Sequence, residues 1–569
     1  MSIYDQLREV WAELTAPGAQ FEVTEITVRG NPMRAYVNAP SSLREIWLAS
    51  AVHGDRDYLV YHDERLTYAE AHRQVASIAC WLTEQGVGPG DRVAIAMRNY
   101  PEWMLAYWAT VSIGAVVVGV NAWWVGPELV YGLNDSQPKV LIADQERLER
   151  ALEHRHEIPA MTMVGVRIPG ELPEGVVPWQ ALVTHGGDMP EVDIDPDSDA
   201  CIFYTSGTTG HPKGAQLTHR GCVANDMNVA FWATCQSLIG QRNGTIPVPG
   251  PDDEPPATAS LVTTPLFHVT ANNCVAHGAT IGGGKLVLMY KWDPTEALRL
   301  IERERITALS GVPVMARELI SHPDFDRYDT SSLAALAGGG AQVQPDLVKK
   351  IDSRVQTARP GTGYGMTETC GIITSISGDF FVDKPESAGP AMPVYEVKVV
   401  DVEGNALPQG DVGELWVRGS PVIKGFLNRP DANAETFTDG WLHTGDLARI
   451  DEDGFIYIVD RAKDMVLRGG ENVYCAEVES CLFEHAAVAE ATVFGVPDDR
   501  LGEEVGAAVY LTPGEHVDAD ALREHCRARI SAHKVPRFIW FMQDPLPRNA
   551  NGKFVKRELK DRLSVADAA

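Results

Sequence analysis

Residues 104–125 read MLAYWATVSIGAVVVGVNAWWV, an uncharged run about as long as the roughly 20 apolar residues that cross a bilayer. Gly114, Gly119 and Asn121 interrupt it, and the β-branched run Val116, Val117, Val118 occupies its second half. A membrane helix has no use for that break. A core helix over 102–113 followed by a buried parallel strand does, because strands covered on both faces are continuously apolar. The stretch therefore predicts a layered α/β fold rather than a transmembrane span.

The flanking sequence repeats the pattern. Short apolar runs, RVAIAM (92–97), KVLIAD (139–144), KLVLM (285–289) and ITALSGVP (306–313), alternate with helical stretches such as 67–86 and 294–305. Such alternation predicts a largely parallel sheet architecture. From about Ala388 the texture shifts to short strands joined by Gly/Asp turns (397–404, 413–419, 454–461), a small antiparallel β subdomain. A smaller α+β unit follows, with helices at 475–484 and 518–531 and strands at 491–496, 506–511 and 537–542. The expected organisation is a large N-terminal domain over 1–459, a hinge at 460–463 and a small mobile C-terminal domain over 464–569. Residues 240–256, rich in Pro and Gly, predict a surface loop, and 1–14 an amphipathic helix rather than a secretory signal.

Composition narrows the function. The 569 residues carry 49 Lys+Arg against 78 Asp+Glu, a net −29, with 44% apolar residues. A chain this acidic is a poor phosphate-tracking nucleic-acid binder. Nine cysteines without a C-x-x-C pair exclude zinc ribbons and dithiol redox motifs and fit a reduced cytoplasmic protein.

The chemistry is concentrated in a few motifs. YTSGTTGHPKG (204–214) packs hydroxyls at Thr205, Ser206, Thr208 and Thr209, the glycines Gly207 and Gly210, and Lys213 into one turn. Backbone N–H groups and hydroxyls in such a turn suit phosphate oxygens, although the spacing is not that of a Walker A loop. Further along come GYGMTE (363–368), WLHTGDL (441–447), DRAKDMVLRGGENVYCAEVE (460–479) and PRNANGK (547–553). In this order, from about Leu43 onward, the set resembles the adenylate-forming superfamily: acyl- and aryl-CoA synthetases, peptide-synthetase adenylation domains and beetle luciferases.

That resemblance implies ATP, Mg²⁺ and coenzyme A as cofactors and a small carboxylic acid as partner. Thr205 to Gly210 and Lys213 would hold the β,γ-phosphates. Tyr364 would stack on adenine beside Gly338, Gly339, Gly340 and Ala341. Thr367 would touch the α-phosphate and Glu368 would ligate Mg²⁺. Asp446, supported by Arg461, would bind the ribose, and Lys553 would be the catalytic lysine. His268, in PLFHV, would line the passage to the acyl pocket. Lys463 would be the hinge residue, with Gly469, Gly470 and Glu471 shaping a thiol tunnel after rotation. Asn225 to Cys235, including Phe231 and Trp232, with Val269, Gly339, Gly363 and the residues after Glu368, would build the acyl pocket.

The expected activity is an AMP-forming acid–CoA ligase, with fatty acid first and an aryl or steroid-type acid as the alternative. A carrier-loading adenylation enzyme, a luciferase-like oxygenase and a silent binding protein are competing readings. Oligomeric state is expected to be monomer or homodimer. Two positions depart from the family pattern: Cys475, where relatives often have proline, and Phe554-Val555-Lys556-Arg557 after the lysine.

Overall fold

In the computed structural model, which describes residues 2–205, 211–248, 250, 257–549 and 552–569, the uncharged run is a helix, Pro101–Ser112, and a strand, Val116–Gly119. Proline at the first helical position needs no N–H partner, and every residue of this helix is buried. The strand that follows is parallel to Arg92–Ala96 on one side and to Asp199–Thr205 on the other. Both faces are covered, which explains the lack of charge. Among the described residues, no helix is long and apolar enough to cross a membrane.

Two large sheets organise the first two-thirds. One has seven strands in the order Lys213–Thr218, Asp199–Thr205, Val116–Gly119, Arg92–Ala96, Val140–Asp144, Thr162–Val166, Val176–Pro178. The other has eight, running from Gly371–Ser377 through Arg359–Met366, Ala335–Gly339, Ala308–Gly311, Ala259–Val262 and Lys285–Leu288 to Asp57–Tyr61 and Glu64–Thr67. Helices start where short polar side chains can cap them. Thr67 and Glu70 form a reciprocal capping box for Tyr68–Glu84, and Asp293 caps Pro294–Glu304. The expected antiparallel subdomain is present, with Trp441–Ile450 between Phe455–Arg461 and Gly413–Gly419.

The smaller C-terminal unit pairs Val488–Asp498 with Gly502–Leu511, adds Phe538–Met542 in parallel, and packs Cys475–Phe483 and Ala519–Arg527 on its own core. The second of these helices stops short of residue 531. Layered α/β subdomains, a small β subdomain and a small α/β C-terminal unit are thus all observed.

One boundary needs correction. The loop expected from residue 240 begins later, because the helix His219–Arg242 continues past Gly240 and closes at Asn243. Gly240 is there because Ile246 folds back onto it: a β-carbon would stand 2.6 Å from Ile246 Cδ1. Residues 249 and 251–256 lie outside the described residues.

The N-terminal segment packs onto that same long helix. Leu7 and Val10 of Ile3–Thr15, Phe21, and Tyr36 of the hairpin Val23–Val28/Asn31–Tyr36 share a core with Phe231, Trp232 and Cys235. Trp11 and Phe21 both meet Phe231 edge-on, with ring centroids 4.7 and 5.3 Å away. Burial of side chains this size contributes about 1.5–3 kcal/mol each, enough to hold the segment in place.

Candidate active site

The site forms where parallel strands end. Ala335–Gly339 and Arg359–Met366 run in register, with Gly338 opposite Thr362 and Gly339 opposite Gly363. Ligands of open α/β sheets gather at such carboxyl ends. Beyond Met366 the chain makes a tight turn over Thr367–Thr369, with Cys370 at φ +54°, and returns as Gly371–Ser377. Gly340, Ala341, Tyr364, Thr367 and Glu368 are thereby delivered to one edge.

The β subdomain supplies the next pair. Asp446 and Arg461 are opposite residues on adjacent strands, and Arg461 Nε lies 3.2 Å from Asp446 Oδ1. The Tyr364 hydroxyl donates to Asp446 Oδ2 at 2.7 Å. Burial, then the Asp446 charge, push the Tyr364 phenol up, so it stays a donor. Asp446 is buried yet keeps acceptor capacity between these partners.

Lys553 arrives from the C-terminal unit on a turn pinned by Asn549, whose Oδ1 accepts from Lys553 N at 3.1 Å while its own N–H donates to Lys553 O at 2.9 Å. Gly552, at φ +75°, lets this turn press on Val312: a β-carbon there would stand 2.7 Å from Val312 Cγ2. Burial, then Arg461, pull the Lys553 ammonium down to about 8, with Asp446 and Glu368 opposing. Burial raises the Glu368 carboxyl, opposed by Arg461, Lys553 and Lys213. Burial and Arg461 lower Lys463, which also feels Asp446 and Lys213.

Lys213 opens the strand Lys213–Thr218, opposite Thr205, and its Nζ lies 5.1 Å from the Phe426 ring centroid. Ser206, Gly207, Thr208, Thr209 and Gly210 lie outside the described residues. Four cations (Lys213, Arg461, Lys463, Lys553) and two carboxylates (Asp446, Glu368) therefore feel one another at this edge. A locally cationic site of this kind is built for an anion in an acidic protein. Among the described residues no group of three or more His, Cys, Asp or Glu could hold a metal alone.

Beside this edge lie the residues expected to line a slot for the acid. A β-carbon on Gly339 would stand 3.9 Å from Thr270 Cγ2, and one on Gly363 would stand 3.0 Å from Ile372 Cγ2. Thr270 opens a π-helical stretch, Thr270–Ala276, whose first turn is fixed by the His268 carbonyl accepting from Asn272 N at 2.9 Å. His268 follows Phe267, their ring centroids 5.1 Å apart. Asn225 links helix to slot, accepting from Ile372 N at 2.9 Å and donating to Asn273 O at 3.3 Å.

One expected placement differs. Phe231 faces the N-terminal segment, held by Trp11 and Phe21, rather than the slot. Gly469 and Gly470, at φ +60° and +91°, form the turn between Val466–Arg468 and Glu471–Val473, and Gly469 packs against Leu501. The Gly469 N–H donates to the Leu501 carbonyl at 2.8 Å, which ties this turn to the C-terminal sheet. The π-helical stretch and the Tyr36–Asn228 pair were not anticipated. Neither leaves a periodic signature in the sequence.

Comparison with known proteins agrees with this geometry. A family model described as AMP-binding enzyme matches residues 47–427, and one described as AMP-binding enzyme C-terminal domain matches 477–553. A feruloyl-CoA synthase of an Amycolatopsis species is 36% identical over 499 residues, covering 88% of this chain and 94% of its own length. A long-chain-fatty-acid–CoA ligase of Bacillus subtilis is 30% identical, covering 89% and 91% respectively. Among solved structures, the anthranilate CoA ligase AuaEII in complex with anthranoyl-AMP superposes with a TM-score of 0.81 at 25% identity, covering 91% of this chain and 96% of that one. The chain belongs to the AMP-binding enzyme family, as an AMP-forming acid–thiol ligase of the acyl-CoA synthetase type.

Proposed function

We propose that the protein activates a ring-bearing, aryl-type carboxylic acid with ATP and passes the acyl group to coenzyme A. The acid's carboxylate oxygen attacks the α-phosphorus and the bond to pyrophosphate breaks. The CoA thiolate then attacks the acyl carbonyl and the bond to AMP breaks. The observation that carries the aryl reading is the similarity to the anthranilate CoA ligase AuaEII, whose solved structure superposes with a TM-score of 0.81. The relatives point the same way, since feruloyl-CoA synthase is 36% identical and the long-chain-fatty-acid ligase 30%. The aryl alternative, rather than the fatty-acid expectation, is therefore preferred.

In this reading Asp446 accepts from the ribose hydroxyls while Tyr364 and Arg461 hold it in place. Tyr364 and the Gly339–Ala341 backbone flank adenine, and Thr367 meets the α-phosphate. Lys213, with Thr205, meets the outer phosphates. Lys553 bridges carboxylate and α-phosphate and offsets their repulsion. His268 borders the passage to the slot. Glu368, one carboxylate at the phosphate end, fits Mg²⁺, which usually takes one or two protein carboxylates and completes its shell with phosphate and water. The ion would supply charge neutralisation there. Residues 460–463 serve as hinge, with Lys463 at its end. A rotation there would bring Gly469 and Gly470 to the thiol path in place of Lys553.

The test is CoA-dependent AMP formation with a panel of benzoic, cinnamic and straight-chain acids. Aryl acids are expected to give the highest kcat/KM. A straight-chain acid exceeding all of them would overturn the reading.

A further inference from the structure

The hairpin Val23–Val28/Asn31–Tyr36 closes through two residues, Arg29 and Gly30, because Val28 pairs with Asn31. Both have positive φ, +50° and +82°, the turn for which asparagine or aspartate followed by glycine is the favoured sequence. Gly30 fits that rule. Arg29 does not: it holds a left-handed backbone that few non-glycine residues adopt. A costly conformation of this kind persists where the side chain has work to do.

The work is visible at the far end of the side chain. Arg29 Nη2 donates to the carbonyls of Val422 and Ile423, at 3.0 and 3.3 Å, across 393 and 394 residues. Both partners are 2% exposed, in a stretch that belongs to no helix or strand. Buried carbonyls need donors, and among the described residues no backbone N–H reaches either one. The carboxylates that Arg29 feels, Asp197 and Asp199, are engaged by Arg220 at 2.8 Å and by Gln216 at 2.7 Å. In a chain with 78 acidic side chains, this arginine is committed to two backbone oxygens.

The stretch it holds leads to the phosphate end of the site. Ile423 N donates to the Glu368 carbonyl at 3.0 Å. The residues that follow lie along the strand Lys213–Thr218: Lys424 N donates to Gln216 O at 3.0 Å, and Leu427 N to Gly214 O at 2.8 Å. Phe426, between them, is the ring beside Lys213 Nζ. One short stretch thus fixes both the Glu368 turn and the strand that opens with Lys213. The hairpin secures its near end a second time, as Ser420 N donates to the Arg34 carbonyl at 3.3 Å. Arg29 itself precedes residues 47–427, the part that matches the AMP-binding enzyme model.

We propose that Arg29 is a positioning residue for adenylation, pinning Val422 and Ile423 and so setting where Glu368 and Lys213 meet the phosphates of ATP. This rests on the roles given above to Glu368 and Lys213, and adds the part of the chain that holds them in place.

The experiment compares wild type, Arg29→Asn, Arg29→Lys and Glu368→Gln. Asparagine suits the turn better than arginine, so Arg29→Asn removes the guanidinium while keeping the hairpin. Its denaturant midpoint should stay near that of wild type, the better turn offsetting the lost bonds. Its affinity for ATP in Mg²⁺, measured by calorimetry, should fall about fivefold, the effect of one hydrogen bond. Pyrophosphate exchange with the best acid of the panel above should slow by about as much or more. AMP release from supplied acyl-adenylate and CoA, which involves no outer phosphates, should stay within about twofold. Arg29→Lys, which keeps a donor on a shorter stem, should recover part of the loss. Unchanged ATP affinity and exchange in Arg29→Asn overturn this inference, and so does equal slowing of both half-reactions. Glu368→Gln judges the underlying reading separately. If it weakens ATP binding in Mg²⁺ and Arg29→Asn does not, only the role of Arg29 falls. If Glu368→Gln leaves ATP binding unchanged, the role of Glu368 falls and this inference with it.

Discussion

Gly340 and Lys553 meet across the two halves of the chain, so closely that a β-carbon on Gly340 would stand 3.6 Å from Lys553 Cε, with Gly340 itself at φ +74°. Gly340→Ala combines a left-handed backbone penalty of about 1–2 kcal/mol with pressure on the lysine stem. The expected outcome is a stability loss of about that size and adenylation slowed about tenfold. AMP release from supplied acyl-adenylate and CoA should stay within about twofold. Equal slowing of both half-reactions would show that the contact with Lys553 is incidental.

The Lys553 ammonium, held near 8 by burial and Arg461, gives the adenylation step a basic limb. The charged form is present below that value and is lost as pH rises through it. In the free enzyme, kcat/KM for pyrophosphate exchange should fall about tenfold per pH unit above roughly pH 8. Lys553→Arg, whose charge persists to far higher pH, should lose this limb while being slower overall. A limb unchanged in Lys553→Arg would assign it to another group.

Tyr364→Phe removes one donor from Asp446 and leaves the Arg461 contact. The net value of such a bond is about 1–2 kcal/mol, so KM for ATP should rise by roughly five- to thirtyfold. The value of kcat should move less, because the hydroxyl is remote from the reacting atoms. A fall in kcat alone, at constant KM, would contradict a ribose-side role.

Cys475, where relatives often carry proline, keeps an N–H that donates to Asp460 Oδ2, and its thiol donates to the Asp464 carbonyl at 3.1 Å. Burial raises the Asp460 carboxyl to about 6, with Lys556 and the N–H groups of Arg461 and Cys475 opposing. This is above the unfolded value of about 3.9, so the native state holds the extra proton and the group costs stability as pH rises from about 4 to 6. Cys475→Pro fits the first helical position but deletes the N–H, which raises that carboxyl further. The variant should be less stable by about 2 kcal/mol at pH 8, with the deficit shrinking below pH 6. Denaturant titrations across that range measure it, and a pH-independent deficit would exclude Asp460 as its source.

Elements with a period or a covered face were legible in advance. Residues 102–113 and the valines after Ala115 announced a helix and a strand because both are buried on all sides. The motifs converging on Glu368, Asp446 and Lys553 were legible too, through their resemblance in order and type to the adenylate-forming superfamily. Single side-chain encounters across long separations were not. Phe231 looked like a pocket residue until Trp11 and Phe21 claimed it, and Tyr36 meets Asn228 across 192 residues with no pattern to announce it. Gly240 read as a loop opener, although Ile246 makes it a packing glycine within a helix.

The N-terminal helix and hairpin precede the stretch that matches the AMP-binding enzyme model, yet they back the helix that borders the slot. The residues that back this helix and those around Glu368, Asp446 and Lys553 therefore come from different portions of the chain. Drift at Trp11, Phe21 or Tyr36 can retune which acids enter while Glu368, Asp446 and Lys553 stay untouched. For a lineage meeting new aromatic nutrients, that is a dial on diet that does not disturb the engine.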